Sequence, residues 1–128
     1  MNYYLSTSYN GNFDEAVEKV TSELKKEGFG VLMEIDIKET LKKKLDVDFK
    51  KYKILGACNP GFAYQALQKE DKIGTMLPCN VIVQEHENGK VEVSAVDPMA
   101  SMQAVENTEL KKIAAQIREL LEKVIQKV

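Results

Sequence analysis

The stretch around Asn88-Gly89 constrains the fold most, because alternating apolar and polar residues flank a turn dipeptide on both sides, the pattern of a β-hairpin. Side-chain alternation decides the loop length. A two-residue loop would set Glu87 against Lys90 and Val93 against Gln84, mixing the apolar face of one strand with the polar face of the other. A three-residue loop, Glu87-Asn88-Gly89, with Gly89 in the left-handed conformation, sets Val83 against Val93 and Val81 against Ala95. Gln84 then meets Glu92 and Ile82 meets Ser94 on the other face. Carried to the open end of the hairpin, this register predicts Cys79 beside Asp97 on the core-facing side, where an ionised carboxylate opposes thiolate formation.

The remaining elements follow from periodicity. Residues 2 to 8 read as a strand, and Asn12 with Glu15 reads as a capping box opening a helix. Phe13, Ala16, Val17, Val20 and Leu24 give that helix its core face, and Gly28 its stop. Val31, Met33, Ile35 and Ile37 alternate with Leu32, Glu34 and Asp36, predicting a second strand with one apolar face. Residues 38 to 46 read as a short helix. Tyr52 to Ala57 read as a strand inside the sheet, and a further helix starts near Pro60 with Phe62, Ala63, Ala66 and Leu67 inward. Met99 to Val105 form a helical turn or a cover over the hairpin mouth. The chain closes with a long helix, capped by Asn107 or Thr108, whose stripe of Leu110, Ile113, Ala114, Ile117, Leu120, Leu121, Val124 and Val128 packs on the sheet or on a second copy. The expected fold is α+β: a single compact domain over residues 1–128, with a mostly antiparallel sheet of about five strands covered by helices, in the order β-α-β-α-β-α-β-β-α.

Composition bounds the partners. With 128 residues, 44% hydrophobic and 30% charged, the chain is long enough for one buried core. A net charge of -2 supplies no field that would attract nucleic acid or an anionic membrane. The lysines at 38, 42, 43, 44, 50, 51 and 53 form a local basic excess, which reads as a solvated helix and loop face because few aromatic residues interleave. No apolar run approaches the span of a bilayer, and Met1 to Leu5 are neither basic nor long enough to read as a signal peptide, so a cytoplasmic protein is expected. Its two cysteines are then expected to be thiols rather than a permanent bridge.

Both cysteines sit in short motifs at strand ends: Cys58-Asn59-Pro60-Gly61 and Pro78-Cys79-Asn80. With Asp97-Pro98 they make the candidate ligand-binding set Cys58, Asn59, Pro60, Gly61, Cys79, Asn80 and Asp97. The amides at a helix start can hold a carboxylate, a phosphate or a polar ligand, and the same partial positive charge lowers the pKa of a cysteine aimed at it. The competing structural reading is that Asn59 caps the helix, Pro60 takes its first position and Asp97-Pro98 opens a turn. Gly56 and Gly61 have the spacing of a phosphate-binding loop, but Phe62 and Ala63 stand where Lys and Ser or Thr are needed. Gly28-Phe29-Gly30 lacks the third glycine of a dinucleotide fingerprint. His86 lies seven residues along the strand from Cys79, roughly 23 Å away and on the other face, which opposes a shared metal or a Cys-His pair. No catalytic constellation, cofactor or metal is therefore assigned.

The ordered set Gly56-Ala57-Cys58-Asn59-Pro60, Ala63 with Ala66-Leu67, Leu77-Pro78-Cys79-Asn80-Val81-Ile82-Val83 and Val93-Ser94-Ala95-Val96-Asp97-Pro98 resembles the domain of unknown function 302 family. The resemblance implies a compact α+β domain, often dimeric, and transfers no catalytic residue. Three functions are weighed: binding of a small molecule or anion at the motif residues, thiol redox or soft-metal chemistry through Cys58 and Cys79, and a structural module acting as a homodimer.

Overall fold

A computed structural model of the chain describes residues 2–128. Five strands, β1 (Tyr4–Tyr9), β2 (Gly30–Asp36), β3 (Tyr52–Cys58), β4 (Cys79–Glu85) and β5 (Val91–Val96), form one sheet in the order β1-β5-β4-β3-β2. Every neighbouring pair is antiparallel. The edge strands β1 and β2 are therefore parallel to each other, and α1 (Phe13–Lys26) joins them by crossing the sheet. The other helices are α2 (Ile37–Leu45), α3 (Pro60–Lys69), α4 (Pro98–Ser101) and α5 (Thr108–Lys127), with a 3-10 segment at Asp71–Met76.

Local chemistry explains where the elements begin and end. The Asn12 side chain accepts from the Glu15 amide at 2.8 Å while the Glu15 carboxylate accepts from the Asn12 amide at 3.2 Å, the capping box expected for α1. Gly28 ends it at φ +87°. In the hairpin, Val83 pairs with Val93, Val81 with Ala95, Gln84 with Glu92 and Ile82 with Ser94. The His86 amide bonds to the Lys90 carbonyl, and Gly89 has φ +81°, so the loop is the three-residue Glu87-Asn88-Gly89.

The core lies on one side of the sheet. Val81, Val83, Val91, Val93, Ala95, Leu55 and Ala57 meet Ala16, Val20 and Leu24 of α1 and Leu110, Ala114, Leu121 and Val124 of α5, all between 0 and 1% exposed. The α5 stripe is thus consumed within the chain, and Met102 fills the same core below α4.

The expected single apolar face of β2 is corrected by a bulge. Val31 pairs with Ala57, but the register then shifts so that Met33 pairs with Gly56 and Ile35 with Ile54. One extra residue inverts the alternation. Val31 packs on the core side, whereas Met33 and Ile35, 47% and 40% exposed, lie on the side away from α1 and α5. Ile37 opens α2 instead of ending the strand, with Asp36 as its cap.

Candidate functional site

The motif residues converge only in part. Cys79 lies opposite Ala57 at the start of β4, and its side chain is buried in the core. Cys58 is the next residue after Ala57, at the end of β3 opposite Gly30, and is half-buried. Both cysteines border a crevice of about 20 Å³ beneath α3, lined also by Phe29, Asn59, Phe62 and Met102. That volume admits about one water molecule. Burial pushes the Cys79 thiol up to about 11, and the neighbouring Cys58 adds to the effect. Cys79 is therefore a poor nucleophile near neutral pH.

Asn59 and Asp97 are engaged in building the fold. Asn59 stands at the cap position of α3, but its side chain makes no capping bond; Nδ2 reaches the Glu27 carbonyl at 3.4 Å and ties α3 to the end of α1. Pro60 takes the first helical position as expected, with Gly61 behind it. The expected pairing of Cys79 with Asp97 does not form. The β4–β5 ladder closes at Val81 and Ala95, and the Asp97 amide bonds instead to the Tyr3 carbonyl at 2.8 Å. One Asp97 oxygen accepts from the Met99 amide at 2.9 Å and the other from Arg118 Nε at 3.0 Å. This carboxylate caps α4 and anchors α5.

Asn80 points the other way, opposite Gly56 on the face away from α1 and α5. There the sheet carries a groove of about 490 Å³ bordered by Tyr3, Tyr4, Tyr52, Asn80, Ile82, Gln84, Glu92, Ser94 and Val96. Strand pairing builds it: Tyr52 meets Gln84, Gln84 meets Glu92, Ile82 meets Ser94, Ser94 meets Ser6, and Val96 meets Tyr4. The aromatic groups come from β1, β3 and the residue before β1, and the polar floor from the hairpin. Tyr3 and Tyr4 stack edge to face with centroids 5.1 Å apart.

Glu92 organises the floor. It accepts from Ser6 Oγ at 2.6 Å, from Gln84 Nε2 at 3.3 Å and bonds His86 Nε2 at 2.9 Å, while Ser94 Oγ bonds Ser6 Oγ at 2.9 Å. The Ser6 bond and then the His86 bond hold its carboxyl below the usual glutamate range, against a smaller opposing effect of burial. Tyr52 is shifted upward, by burial and then by the nearby Tyr3 phenol. Residue alternation marks this polar face of the hairpin, Gln84 with Glu92 and Ile82 with Ser94. Which tyrosines flank it depends on pairing between strands distant in sequence, Tyr52 with Gln84 and Tyr4 with Val96, which no local pattern encodes.

Among the described residues, no cluster of three His, Cys, Asp or Glu side chains is arranged to hold a metal, and no helix is long and apolar enough to cross a membrane. The basic excess is partly paired: Lys42 meets Asp46 and Asp48, Lys43 meets Glu39, and Lys53 meets Glu34.

A five-stranded antiparallel sheet with α1 and α5 packed on one face and a groove on the other defines a small α+β domain. The family described as Domain of unknown function DUF302 matches residues 4–128, and the chain belongs to that family. It is similar to the uncharacterized conserved protein DUF302 from Bacillus stearothermophilus, whose crystal structure superposes with a TM-score of 0.91 at 30% identity, covering 98% of this chain and 97% of that one. No protein of curated function matches it.

Proposed function

We propose that this domain binds a small molecule in the groove on the face away from α1 and α5, where Asn80 is the motif residue that contributes directly. The groove carries this reading: its 490 Å³ falls within the range of small-molecule sites, and it combines aromatic and aliphatic walls with a few converging polar groups. The crevice between the two cysteines is too small for such a ligand. In this reading Cys58, Asn59, Pro60, Gly61, Cys79 and Asp97 support the strand ends from which Asn80 projects. The reading includes a cytoplasmic location, where the free thiols stay reduced.

The test is an amide-resolved NMR titration with a fragment collection of anionic, neutral and cationic members. Binding should shift the amides of Asn80, Gln84, Glu92 and Ser94, and Ser94→Trp, which fills the floor, should abolish the shifts. Fragments that perturb only the surroundings of Cys58 and Cys79, or none that perturb the groove, would remove this reading.

A second reading rests on a separate observation, the exposed apolar residues that the β2 bulge delivers to the same face. Met33 and Ile35 extend the surface formed by Ile54 and Ile82 and give two copies an apolar strip to share. Sedimentation equilibrium should then give a dimer for the native chain and a monomer for Ile35→Lys; a native monomer removes this reading.

A further inference from the structure

We propose that the ligand of this groove is an organic cation, a protonated amine or a quaternary ammonium group, held against Glu92 and the faces of Tyr3, Tyr4 and Tyr52. This rests on the groove being a ligand site and adds the chemical class. Three phenol rings and one carboxylate border it, and no Lys, Arg or His is among its lining residues. Aromatic faces present negative charge to a cation and attract it most strongly when water is excluded. An anionic ligand would meet the Glu92 carboxylate directly, because Lys50 and His86, which act on that carboxylate, stand outside the lining.

One of these rings, Tyr52, already attracts an ammonium group within the chain. Lys50 Nζ lies 6.0 Å from the Tyr52 ring centre and 5.9 Å from that of Phe49, although Lys50 does not line the groove. Glu92 is fixed by Ser6, Gln84 and His86, so the carboxylate is oriented before a ligand arrives. Such preorganisation reduces the ordering cost of binding. Asn80 and Ser94 add neutral polar groups suited to a hydroxyl or amide elsewhere on the same ligand.

The probes are choline, a primary alkylammonium, and the uncharged isostere of choline in which carbon replaces nitrogen, each titrated by NMR into the full chain. Choline and the alkylammonium should shift the Gln84, Glu92 and Ser94 amides, with the isostere at least about ten-fold weaker. Glu92→Gln and Tyr52→Leu should each weaken choline about ten-fold, and Tyr52→Phe, which keeps the ring, should restore most of the affinity. Thermal melts confirm that each variant is folded. Equal binding of the isostere, or cation affinity unchanged in folded Glu92→Gln, overturns the proposal. If neutral fragments occupy the groove and cations do not, the ligand class is wrong while the groove reading survives; if nothing occupies it, both fall.

Discussion

Arg118 Nε donates to Asp97 Oδ2 across 3.0 Å and thereby ties the middle of α5 to the mouth of the hairpin. Arg118 also holds Glu122 at 3.0 Å, and the Asp97 hydrogen bond is the main reason that its guanidinium is held above its ordinary value. Asp97→Ala removes both the α4 cap and the arginine's buried partner, so a loss of about 1–2 kcal/mol is expected from the cap alone. Asp97→Asn keeps an oxygen for the Met99 amide and should recover part of that loss. Urea unfolding of the two variants checks the ranking, and equal stability of both with the native chain would remove the structural role assigned here.

The two thiols should react at different rates. Cys79 is buried and its ionisation is suppressed, whereas Cys58 is half-buried at the end of β3. Alkylation followed by mass spectrometry at neutral pH should label Cys58 first, and labelling of Cys79 should track unfolding. The folded thiol loses its proton at about 11 against about 8.5 in an unfolded chain. Its contribution is therefore fully present below the unfolded value and is lost as pH rises from there through 11. Over two units or so this costs about 3 kcal/mol. Cys79→Ala should flatten the alkaline limb of the stability profile, at the expense of some core packing.

The acid limb has other owners. Burial alone would raise the Glu23 carboxyl, but hydrogen bonds from Lys26 and Lys19 outweigh it and hold it below its ordinary value, and Glu92 is also lowered. Folded-state depression means that this stability is complete above the unfolded glutamate value near 4.3 and disappears as pH falls through the lower folded values. Glu23→Gln should therefore lose stability at neutral pH and show a shallower decline in acid. Thermal melts between neutral pH and the acid limb measure both effects.

Gly56 should resist substitution. A Cβ at this position would stand 2.9 Å from Pro78 Cγ and 3.0 Å from Met33 Cε. The methionine can move, but the proline ring is stiff, so Gly56→Ala should cost about 1–3 kcal/mol through overpacking. Gly56→Ala combined with Met33→Ala should leave most of that loss in place, because the Pro78 contact remains, which calorimetric melts of the single and double variants would show.

Several parts of the fold are legible in one dimension because they are local. The capping box at Asn12, the end of α1 at Gly28 and the three-residue hairpin loop each follow from a few adjacent residues and the geometry they permit. The β2 bulge is not legible in this way. Leu32 has no property that marks an extra residue, and only pairing with β3 shows that Met33 and Ile35 leave the core side. The Cys79–Asp97 expectation failed for a related reason. Extrapolating a ladder assumes that its ends stay paired, whereas here Pro98 opens α4 and Arg118, far along the chain, draws the Asp97 carboxylate.

The candidate site divides along the same line. The amino-acid sequence by itself determined the α+β element order, the hairpin register and the pattern of the Asn-Pro, Pro-Cys-Asn and Asp-Pro motifs, since these depend on residue type and short-range geometry. Tertiary structure alone decided that α1 and α5 pack on one face of the sheet, that Asn80 and not the cysteines borders the 490 Å³ groove, and that Tyr3, Tyr4, Tyr52 and Glu92 line that one groove. Those relationships depend on which strands lie beside one another, set by the burial energetics of the whole chain rather than by any segment of it.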